Sequence, residues 1–295
     1  MSIPLETDGP TMKDYGSKLT PTWCEACGNY GIWTAAKQAL VELRIHPWQA
    51  LLCYDVGCHG NMSDKIGGYR FHGLHGRVIP FATGAKLANP RLTVLAFGGD
   101  GASFSEGIGH LVHAIRSRYP IVFVMHNNGN YGLTTGQASA LTAQNQPMNS
   151  SPNGIPEETL NSMDFVFSLE PTFVARAFSG DIAQMTYVLK EAVRHRGFAY
   201  VDMLQACPTY NRFATHDMLL EKCYRVENEN HDPNDFKKAR QLAVDTSKRI
   251  ATGILFRRED IPNFYERLVP RQGKMTTPVE EVEKFDVTEL MKELI

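Results

Sequence analysis

The sequence predicts an α/β protein whose mostly parallel sheet is flanked by helices. Residues 30–206 alternate amphipathic helical patterns with short apolar runs, the arrangement expected when crossover helices connect parallel strands. Two of these runs, LTVLAF at residues 92–97 and IVFVM at residues 121–125, are almost wholly apolar, as in strands covered on both faces. Hydrophobic residues account for 43% of the 295 residues and charged residues for 21%, so the chain can bury a substantial core.

The predicted elements follow one another in a regular order along the chain. Helical periodicity indicates helices at residues 31–43, 81–88, 104–118 and 181–195. Strands are expected at residues 50–54, 92–97, 121–125 and 199–204. Residues 57–76 are dense in glycine and histidine and predict a loop, and Asn89-Pro90 predicts the end of the second helix.

Three regions of the chain differ in composition. Residues 1–20 are polar and interrupted by glycine and proline, which predicts an N-terminal arm. Residues 21–225 form the predicted domain, and we expect the more charged residues 226–295 to form a C-terminal extension that packs on the domain or on a partner subunit. Its last part, VEEVEKFDVTELMKELI at residues 279–295, is compatible with a helix that contacts a partner and with a solvated helix.

Composition also argues against several classes of protein. A formal net charge of -2 disfavours a nucleic-acid-binding protein that relies on electrostatic attraction. No apolar segment is long enough to cross a bilayer, and the N-terminus lacks the basic and apolar regions of a signal peptide. We therefore expect a cytoplasmic protein with no membrane and no nucleic-acid partner. In that reducing compartment the six cysteines are expected to bind metal or act in catalysis rather than form disulfides.

A glycine-rich turn follows the strand at residues 92–97. The turn GGDG leads into a helical pattern, and a strand–turn–helix unit presents backbone N–H groups and a helix N-terminus to a phosphate group. Asp100 lies between Gly99 and Gly101, where its carboxylate would repel a diphosphate unless a cation lay between them. Mg²⁺ prefers oxygen ligands and commonly joins a carboxylate to phosphate groups, so this turn predicts a magnesium–diphosphate site.

Neutral oxygen donors follow the next strand, at the edge of the sheet where open α/β folds bind ligands. The segment HNNGNYG contains Asn128 and Asn130, and residues 102–126, 25 in all, separate Gly-Asp-Gly from Asn-Asn. This spacing resembles the signature of thiamine-diphosphate-binding proteins. The resemblance implies that Asp100, the Asn128 side chain and the Asn130 carbonyl hold Mg²⁺. The alternative is that both segments are ordinary turns, in which such dipeptides are common.

The pair Cys24 and Cys27 in WCEACG is compatible with a redox dithiol, with half of a zinc site or with part of an iron–sulfur site. A thioredoxin-type dithiol follows a buried strand, whereas the preceding GSKLTPTW is polar and contains proline. A structural zinc site commonly uses a second CxxC pair, and the sequence has none. Cysteines dispersed over several loops fit an iron–sulfur cluster at least as well. Cys53 and Cys223 are predicted to be buried as small hydrophobic residues.

Six segments resemble, in their order, the β subunit of 2-oxoacid:ferredoxin oxidoreductases. They are WCEACGNYG, DVGCHGN, FHGLHGRVIPFATGAKLANP, GDGASFSEG, NNGNYGLTTGQ and QACPTYN. The resemblance covers roughly residues 20–225 and implies the thiamine-diphosphate-binding fold on the diphosphate side of the cofactor. It also implies that one [4Fe–4S] cluster is bound by Cys24, Cys27, Cys58 and Cys207.

The same resemblance implies which residues bind the cofactor. The residues expected to bind thiamine diphosphate or its Mg²⁺ are Cys58, His59, Gly99, Asp100, Gly101, Ala102, Asn128, Asn130, Gly132, Leu133 and Thr134. In the family, the loop that contains His72, His75 and Arg77 lies near the thiamine site. These three residues are expected to contact substrate or to support the site, with a hydrogen-bonded turn as the alternative. Many relatives have Lys at the position of Thr135, so no substrate contact is transferred to that residue.

The resemblance implies reversible, CoA-dependent oxidative decarboxylation of a 2-oxoacid, with 2-oxoglutarate and pyruvate as candidate substrates. Thiamine diphosphate would supply the decarboxylation chemistry, and the cluster would pass electrons to ferredoxin. Thiamine enzymes need a Glu at the aminopyrimidine ring, and Glu106 follows the diphosphate turn, on the wrong side for that role. The resemblance therefore implies an α subunit that provides the pyrimidine-side domain, in an (αβ)₂ heterotetramer.

Two other interpretations are compatible with the sequence. The first is a non-redox thiamine-diphosphate 2-oxoacid decarboxylase component whose cysteines hold structural zinc. The second is a non-catalytic interaction module that is stabilised by zinc. Iron content distinguishes the first from the oxidoreductase, and binding of thiamine diphosphate distinguishes the second.

Overall fold

A central sheet organises residues 9–271, 274–282 and 286–294, the parts of the chain that the computed structural model describes. Its strands are β1 Ala50–Tyr54, β2 Tyr69–His72, β3 Thr93–Gly99, β4 Val122–Asn127, β5 Phe173–Phe178, β6 Ala199–Leu204, β7 Cys223–Arg225 and β8 Ile250–Arg257. Their spatial order is β2-β1-β3-β4-β6-β5-β8-β7. Residues 1–8 of the predicted arm, and residues 283–285 and 295 of the predicted C-terminal helix, lie outside the described residues.

The pairing directions confirm the predicted, mostly parallel α/β fold. The six strands that are adjacent in the order β2-β1-β3-β4-β6-β5 all pair in parallel. β8 pairs antiparallel with β5, and β7 pairs parallel with β8. Because parallel strands end on the same edge of a sheet, the segments that follow β1, β3, β4 and β6 are brought together there.

Helices cover both faces of this sheet. They are α1 Asn29–Glu42, α2 Val78–Ala88, α3 Ile108–Ser117, α4 Ser162–Ser168, α5 Ile182–Arg194, α6 His216–Lys222, α7 Phe236–Val244, α8 Phe264–Arg267, α9 Pro278–Val282 and α10 Thr288–Lys292. Leu52, Leu95 and Val122 are aligned across β1, β3 and β4 and pack in one core cluster with α1 and α5. The following residue of each strand belongs to a second cluster with α2, α3, α4 and α7. The core therefore has two layers, one on each side of the sheet.

The structure agrees with several predicted elements and corrects others. The strands predicted at residues 50–54 and 199–204 coincide with β1 and β6. The loop predicted at residues 57–76 is wrong in part, because it contains the 3₁₀ helix Cys58–Asp64 and β2. β2 lies at the edge of the sheet with three of its four residues exposed, so no apolar pattern marks it in the sequence. β5 and β8 were also not predicted from the sequence. In β5 a buried arginine lies in the middle of the strand and interrupts its apolar pattern.

Both terminal regions contribute to the core. Tyr15, in the predicted arm, is fully buried, and its hydroxyl donates a hydrogen bond to the Ile45 carbonyl at 2.7 Å. Within residues 226–295, β8 joins the central sheet, and Leu255 and Phe256 are buried. In the described part of the C-terminal segment, α9 and α10 are two short helices. None of the described helices combines the length and apolarity that a membrane span requires.

A buried ion pair joins the neighbouring strands β5 and β6. Arg176 on β5 and Asp202 on β6 are register partners, and the Arg176 Nε lies 2.8 Å from Asp202 Oδ2. Asp202 is 0% exposed, and its other carboxylate oxygen accepts a hydrogen bond from Asn127 Nδ2 at 3.0 Å. The Arg176 guanidinium also donates to the Ala243 carbonyl of α7 at 3.1 Å. These bonds compensate both charges and join β4, β5, β6 and α7.

Replacing Asp202 with Ala should destabilise the fold by about 3–5 kcal/mol, because it leaves the Arg176 charge buried and uncompensated. The measurement is the free energy of unfolding from urea denaturation of the purified protein. Asp260→Ala is the matched control, since Asp260 pairs with Arg258 at the surface, where the Asp260 side chain is 67% exposed. That control should lose at most about 1 kcal/mol. Equal losses for the two variants would contradict this account of the buried pair.

Candidate active site

A cleft of about 430 Å³, including its open mouth, lies at the C-terminal ends of β1, β3 and β4. Every residue expected to bind the diphosphate cofactor lines it: Cys58, His59, Gly99, Asp100, Gly101, Ala102, Asn128, Asn130, Gly132, Leu133 and Thr134. Val56, Gly57, His75 and Tyr131 complete the lining. The fold thus gathers three separate sequence motifs around one cavity.

Asp100 is placed where the sequence predicts a metal-binding carboxylate. It directly follows β3, is 1% exposed, and accepts a hydrogen bond from the Ser139 hydroxyl. Burial raises the pKa of Asp100 to about 7, although the bond from Ser139 opposes this change. A nearby cation would stabilise the ionised form, because the effect of burial outweighs the hydrogen bonds that the carboxylate accepts. The side chain therefore fits a bound divalent cation.

The Asn-Asn segment offers neutral oxygens on the other side of the cleft. Asn128 Oδ1 accepts a hydrogen bond from the Asn130 backbone N–H at 3.1 Å, and its carbonyl accepts one from Asn211 Nδ2 at 2.8 Å. These bonds hold the turn that follows β4. Asn130 is 4% exposed, and its Oδ1 is buried without a hydrogen-bond partner. Asp100 and Asn130 line the same cleft, and Mg²⁺ binds proteins through such oxygen ligands together with phosphate groups.

The four cysteines expected to bind a cluster form a group next to this cleft. Burial, together with the neighbouring Cys27, Cys207 and Cys24, raises the pKa of Cys58 to about 12. A Cβ at Gly132 would lie 3.3 Å from the Cys58 sulfur and 4.0 Å from the Cys207 sulfur. Both thiols therefore lie against the backbone of a loop that lines the cleft, and a larger residue at position 132 would require the Cys58 sulfur to shift.

Trp23 connects the CxxC segment to the cleft. Its indole N–H donates to the Cys58 carbonyl at 2.7 Å, and its ring packs edge-on against Tyr30 and Trp33, with centroids 5.1 and 6.4 Å away. The side chain is 8% exposed. Trp23 thus holds the CxxC loop in place by packing and hydrogen bonding. This structural role agrees with the sequence argument against a thioredoxin-type dithiol.

The acidity of the thiols also disagrees with a redox dithiol. Burial raises the pKa of the Cys27 thiol to about 11. Redox-active cysteines have the opposite property, a lowered pKa that produces thiolate at neutral pH. None of the six cysteines forms a disulfide bond. Cys53 lies fully buried in β1, as predicted, whereas Cys223, also predicted to be buried, is only half-buried. Within the described residues, no three His, Cys, Asp or Glu side chains converge in a way that would enclose a single metal ion.

Three buried polar residues that the sequence did not reveal, Asp55, His126 and Gln205, form a chain of contacts with His59 of the cleft lining. Asp55, at the end of β1, contacts His59 Nε2, and the His59 ring stacks on His126 with centroids 5.0 Å apart. Burial, and then the nearby His59, lower the pKa of His126 well below its usual value, so this imidazole is neutral. His126 Nδ1 lies 2.9 Å from Gln205 Oε1. Asp55, His126 and Gln205 come from the ends of three different strands, and no local motif joins them.

The loop predicted to approach substrate contributes unequally to the site. His75 lines the cleft, and its Nδ1 lies 3.3 Å from Glu106 Oε2. The Tyr131 hydroxyl donates to the same carboxylate at 3.3 Å. His72 and Arg77 both lie outside the cleft lining. The Arg77 guanidinium donates a hydrogen bond to the Glu106 carbonyl at 2.8 Å. Of the three predicted residues, the structure brings only His75 to the cavity.

Comparison with known families agrees with this geometry. Residues 55–203 match the family model described as thiamine pyrophosphate enzyme, C-terminal TPP binding domain. Residues 207–272 match the model that describes the C-terminal part of the pyruvate ferredoxin oxidoreductase beta subunit. The residues that match the first model include β3 and β4. The ends of these two strands form the cleft together with the end of β1. Fold and site therefore define an enzyme of the thiamine-diphosphate-binding class.

Relatives define the family more closely. The chain is 38% identical over 277 residues to the β subunit of 2-oxoacid:ferredoxin oxidoreductase 2 from Aeropyrum pernix, covering 90% of this chain and 89% of the relative. It is 34% identical over 288 residues to a 2-oxoacid:ferredoxin oxidoreductase subunit beta from a Sulfolobus species, covering 88% and 94%. This chain belongs to the family of 2-oxoacid:ferredoxin oxidoreductase β subunits.

A solved structure is similar over almost the whole chain. It is 2-oxoglutarate:ferredoxin oxidoreductase from Magnetococcus marinus, with 2-oxoglutarate, coenzyme A and succinyl-CoA bound. The TM-score is 0.88 at 31% sequence identity, and the match covers 98% of this chain and 97% of that one. Because so little of the chain lies outside the match, the match includes most of residues 226–295.

Proposed function

We propose that this chain is the β subunit of a 2-oxoglutarate:ferredoxin oxidoreductase. The reaction converts 2-oxoglutarate, CoA and oxidised ferredoxin into succinyl-CoA, CO₂ and reduced ferredoxin, and it is reversible. The observation that carries the proposal is the position of Cys58, which lines the cleft and also belongs to the group of four cysteines. One residue thereby joins a site for decarboxylation to a site for electron transfer. The ligands of the similar Magnetococcus marinus structure support 2-oxoglutarate over pyruvate as the substrate.

In this proposal the cleft holds thiamine diphosphate through Mg²⁺. Asp100, the Asn128 side chain and the Asn130 carbonyl provide the protein ligands to the cation. Support comes from the buried Asp100 carboxylate and from the turn after β4, which brings Asn128 and Asn130 into the lining of the same cleft. The bound cofactor would supply the carbanion chemistry of decarboxylation, and the residues of this chain would bind it, orient it and keep water away from it.

The second cofactor in the proposal is one [4Fe–4S] cluster bound by Cys24, Cys27, Cys58 and Cys207. Thiolates are the usual ligands of such clusters, and these cysteines come from loops that the fold gathers together. The raised pKa of Cys27 and Cys58 means that metal binding must release their protons. Contact of Cys58 with the cleft would keep the path from thiamine to iron short.

The proposed assembly pairs this chain with an α subunit, in an (αβ)₂ arrangement that reduces ferredoxin. Among the described residues, no glutamate lines the cleft, so the carboxylate required at the aminopyrimidine ring would come from the partner. Leu74 is 75% exposed next to His75, and Leu133 is 48% exposed in the lining itself. An exposed apolar side chain in the cleft lining favours coverage by another protein surface.

Replacing Cys207 with Ala should remove the iron, because a cluster that loses one of its four thiolates is no longer held. Purification without oxygen, together with the α subunit, followed by iron assay and visible absorption, measures this loss. Cys223→Ala is the matched control, since Cys223 is a half-buried cysteine at the start of β7, away from the group. The control and the unmodified protein should contain about four iron atoms per chain. Zinc without iron in the unmodified protein would instead favour the non-redox decarboxylase.

Replacing Asp100 with Ala should weaken Mg²⁺-dependent binding of thiamine diphosphate by at least about 100-fold, because the charged ligand to the cation is removed. Isothermal titration calorimetry with thiamine diphosphate and Mg²⁺ measures the affinity. Iron content should not change, since Asp100 is not a cluster ligand. Asp64→Asn, at a side chain that is 55% exposed, should bind normally. Unchanged affinity in the Asp100 variant would contradict the assignment.

The chain by itself should show no CoA-dependent decarboxylation of 2-oxoglutarate, even when loaded with thiamine diphosphate, Mg²⁺ and iron. Addition of the α subunit should restore the activity, because it completes the pyrimidine side of the site. Formation of succinyl-CoA and reduction of ferredoxin are the two readouts. Full activity of the chain alone would contradict the proposed division of the active site.

A further inference from the structure

Gln205 occupies a buried position between the cofactor cleft and the CxxC loop. It directly follows β6 and is 2% exposed. Its backbone N–H donates to the Asn127 carbonyl at 2.8 Å, which continues the pairing of β6 with β4 for one more residue. The side chain lies outside the cleft lining and is not one of the proposed ligands. A buried amide in this place requires partners for its polar atoms.

The two ends of the Gln205 amide contact different groups. Its Nε2 lies 3.8 Å from the Cys27 sulfur, and its Oε1 lies 2.9 Å from His126 Nδ1. An amide oxygen can only accept, so His126 Nδ1 carries the proton that lies between them. This bond fixes the orientation of the amide, with its N–H₂ group facing Cys27. Once Cys27 binds a cluster as a thiolate, the opposite orientation would place the amide oxygen against a sulfur that can only accept, and the two acceptors would repel each other.

Close packing holds this arrangement in place. A Cβ at Gly28 would lie 2.7 Å from Cγ of Gln205, so the CxxC loop can approach the side chain only because residue 28 is glycine. The Gly28 N–H donates to the Ala206 carbonyl at 3.2 Å. The loop that contains Cys27 and the segment that contains Gln205 are therefore joined by backbone and side-chain contacts. Neither segment can shift without displacing the other.

We propose that Gln205 is a positioning residue for the iron–sulfur site: its amide N–H donates to the Cys27 sulfur and raises the reduction potential of the bound cluster. His126 holds the amide in the orientation that this bond requires. The proposal rests on the proposed function, because it requires a cluster bound through Cys27. Hydrogen bonds to ligating sulfurs stabilise the reduced cluster, which carries one more negative charge, and are a recognised determinant of cluster potential.

The test is the midpoint potential of the cluster in Gln205→Met and Gln205→Glu, each purified without oxygen together with the α subunit. Met keeps the size of the side chain and lacks the donor, whereas Glu keeps the shape and replaces the donor with an acceptor. Both potentials should become more negative, with a change in the reduction equilibrium on the order of tenfold, or 59 mV for one electron. Redox titration followed by electron paramagnetic resonance measures the potential independently of turnover.

Gln184→Met is the matched control for loss of a buried amide. Gln184 lies on α5, is 3% exposed, and its Nε2 has no hydrogen-bond partner among the described residues. Its potential should equal that of the unmodified protein. Iron content is measured in every sample, since a purely structural role for Gln205 would lower occupancy without changing the potential of the clusters that remain.

The outcomes separate failure of this proposal from failure of the proposed function. Clusters present in all samples with unchanged potentials in both Gln205 variants would overturn the role of Gln205 and leave the oxidoreductase assignment intact. An equal shift in the Gln184 control, or loss of iron from both Gln205 variants, would also overturn it. Absence of iron from the unmodified protein would overturn the proposed function and the role of Gln205 together.

Discussion

Parallel pairing of β1, β3, β4 and β6 is the constraint on which the rest of the structure depends. It brings Asp55, Asp100, Asn128 and Gln205 to one edge of the sheet, although each follows a different strand. Apolar layers on both faces hold the strands in register, since a slip of one residue would exchange the two layers. The cleft exists because the ends of these strands coincide.

Burial of polar groups gives the site its chemical character. Asp100 has an elevated pKa, and Asn130 Oδ1 has no partner, so two oxygens in one cavity are under-compensated within the protein itself. The Arg176–Asp202 pair, which lies in the same sheet, is different because each of its charges meets an opposite charge and a further hydrogen bond. The first arrangement suits a ligand that supplies the missing charge, and the second stabilises the fold.

Local motifs explain why so much of the site could be predicted. Gly-Asp-Gly and Asn-Asn-Gly-Asn-Tyr-Gly each follow a buried strand directly, so strand and turn together fix where their side chains lie. The loop that contains His72, His75 and Arg77 was harder to interpret, because β2 is an exposed edge strand with no apolar pattern. Arg176 interrupts the apolar run of β5, and its charge is acceptable only because Asp202 lies beside it in the register. Such compensation across strands leaves no local signal.

The sequence by itself determined the α/β class, the positions of β1 and β6 and the diphosphate turn, because each depends on residues that are neighbours along the chain. Only the tertiary structure decided that Asp55 and His126 both contact His59, and that Gln205 reaches Cys27 across a separation of 178 residues. The physical reason is that these contacts depend on the spatial order of the strands, in which β4 lies next to β6 rather than β5. That order is set by how the helices and the two apolar layers pack together, and no short segment of sequence contains it.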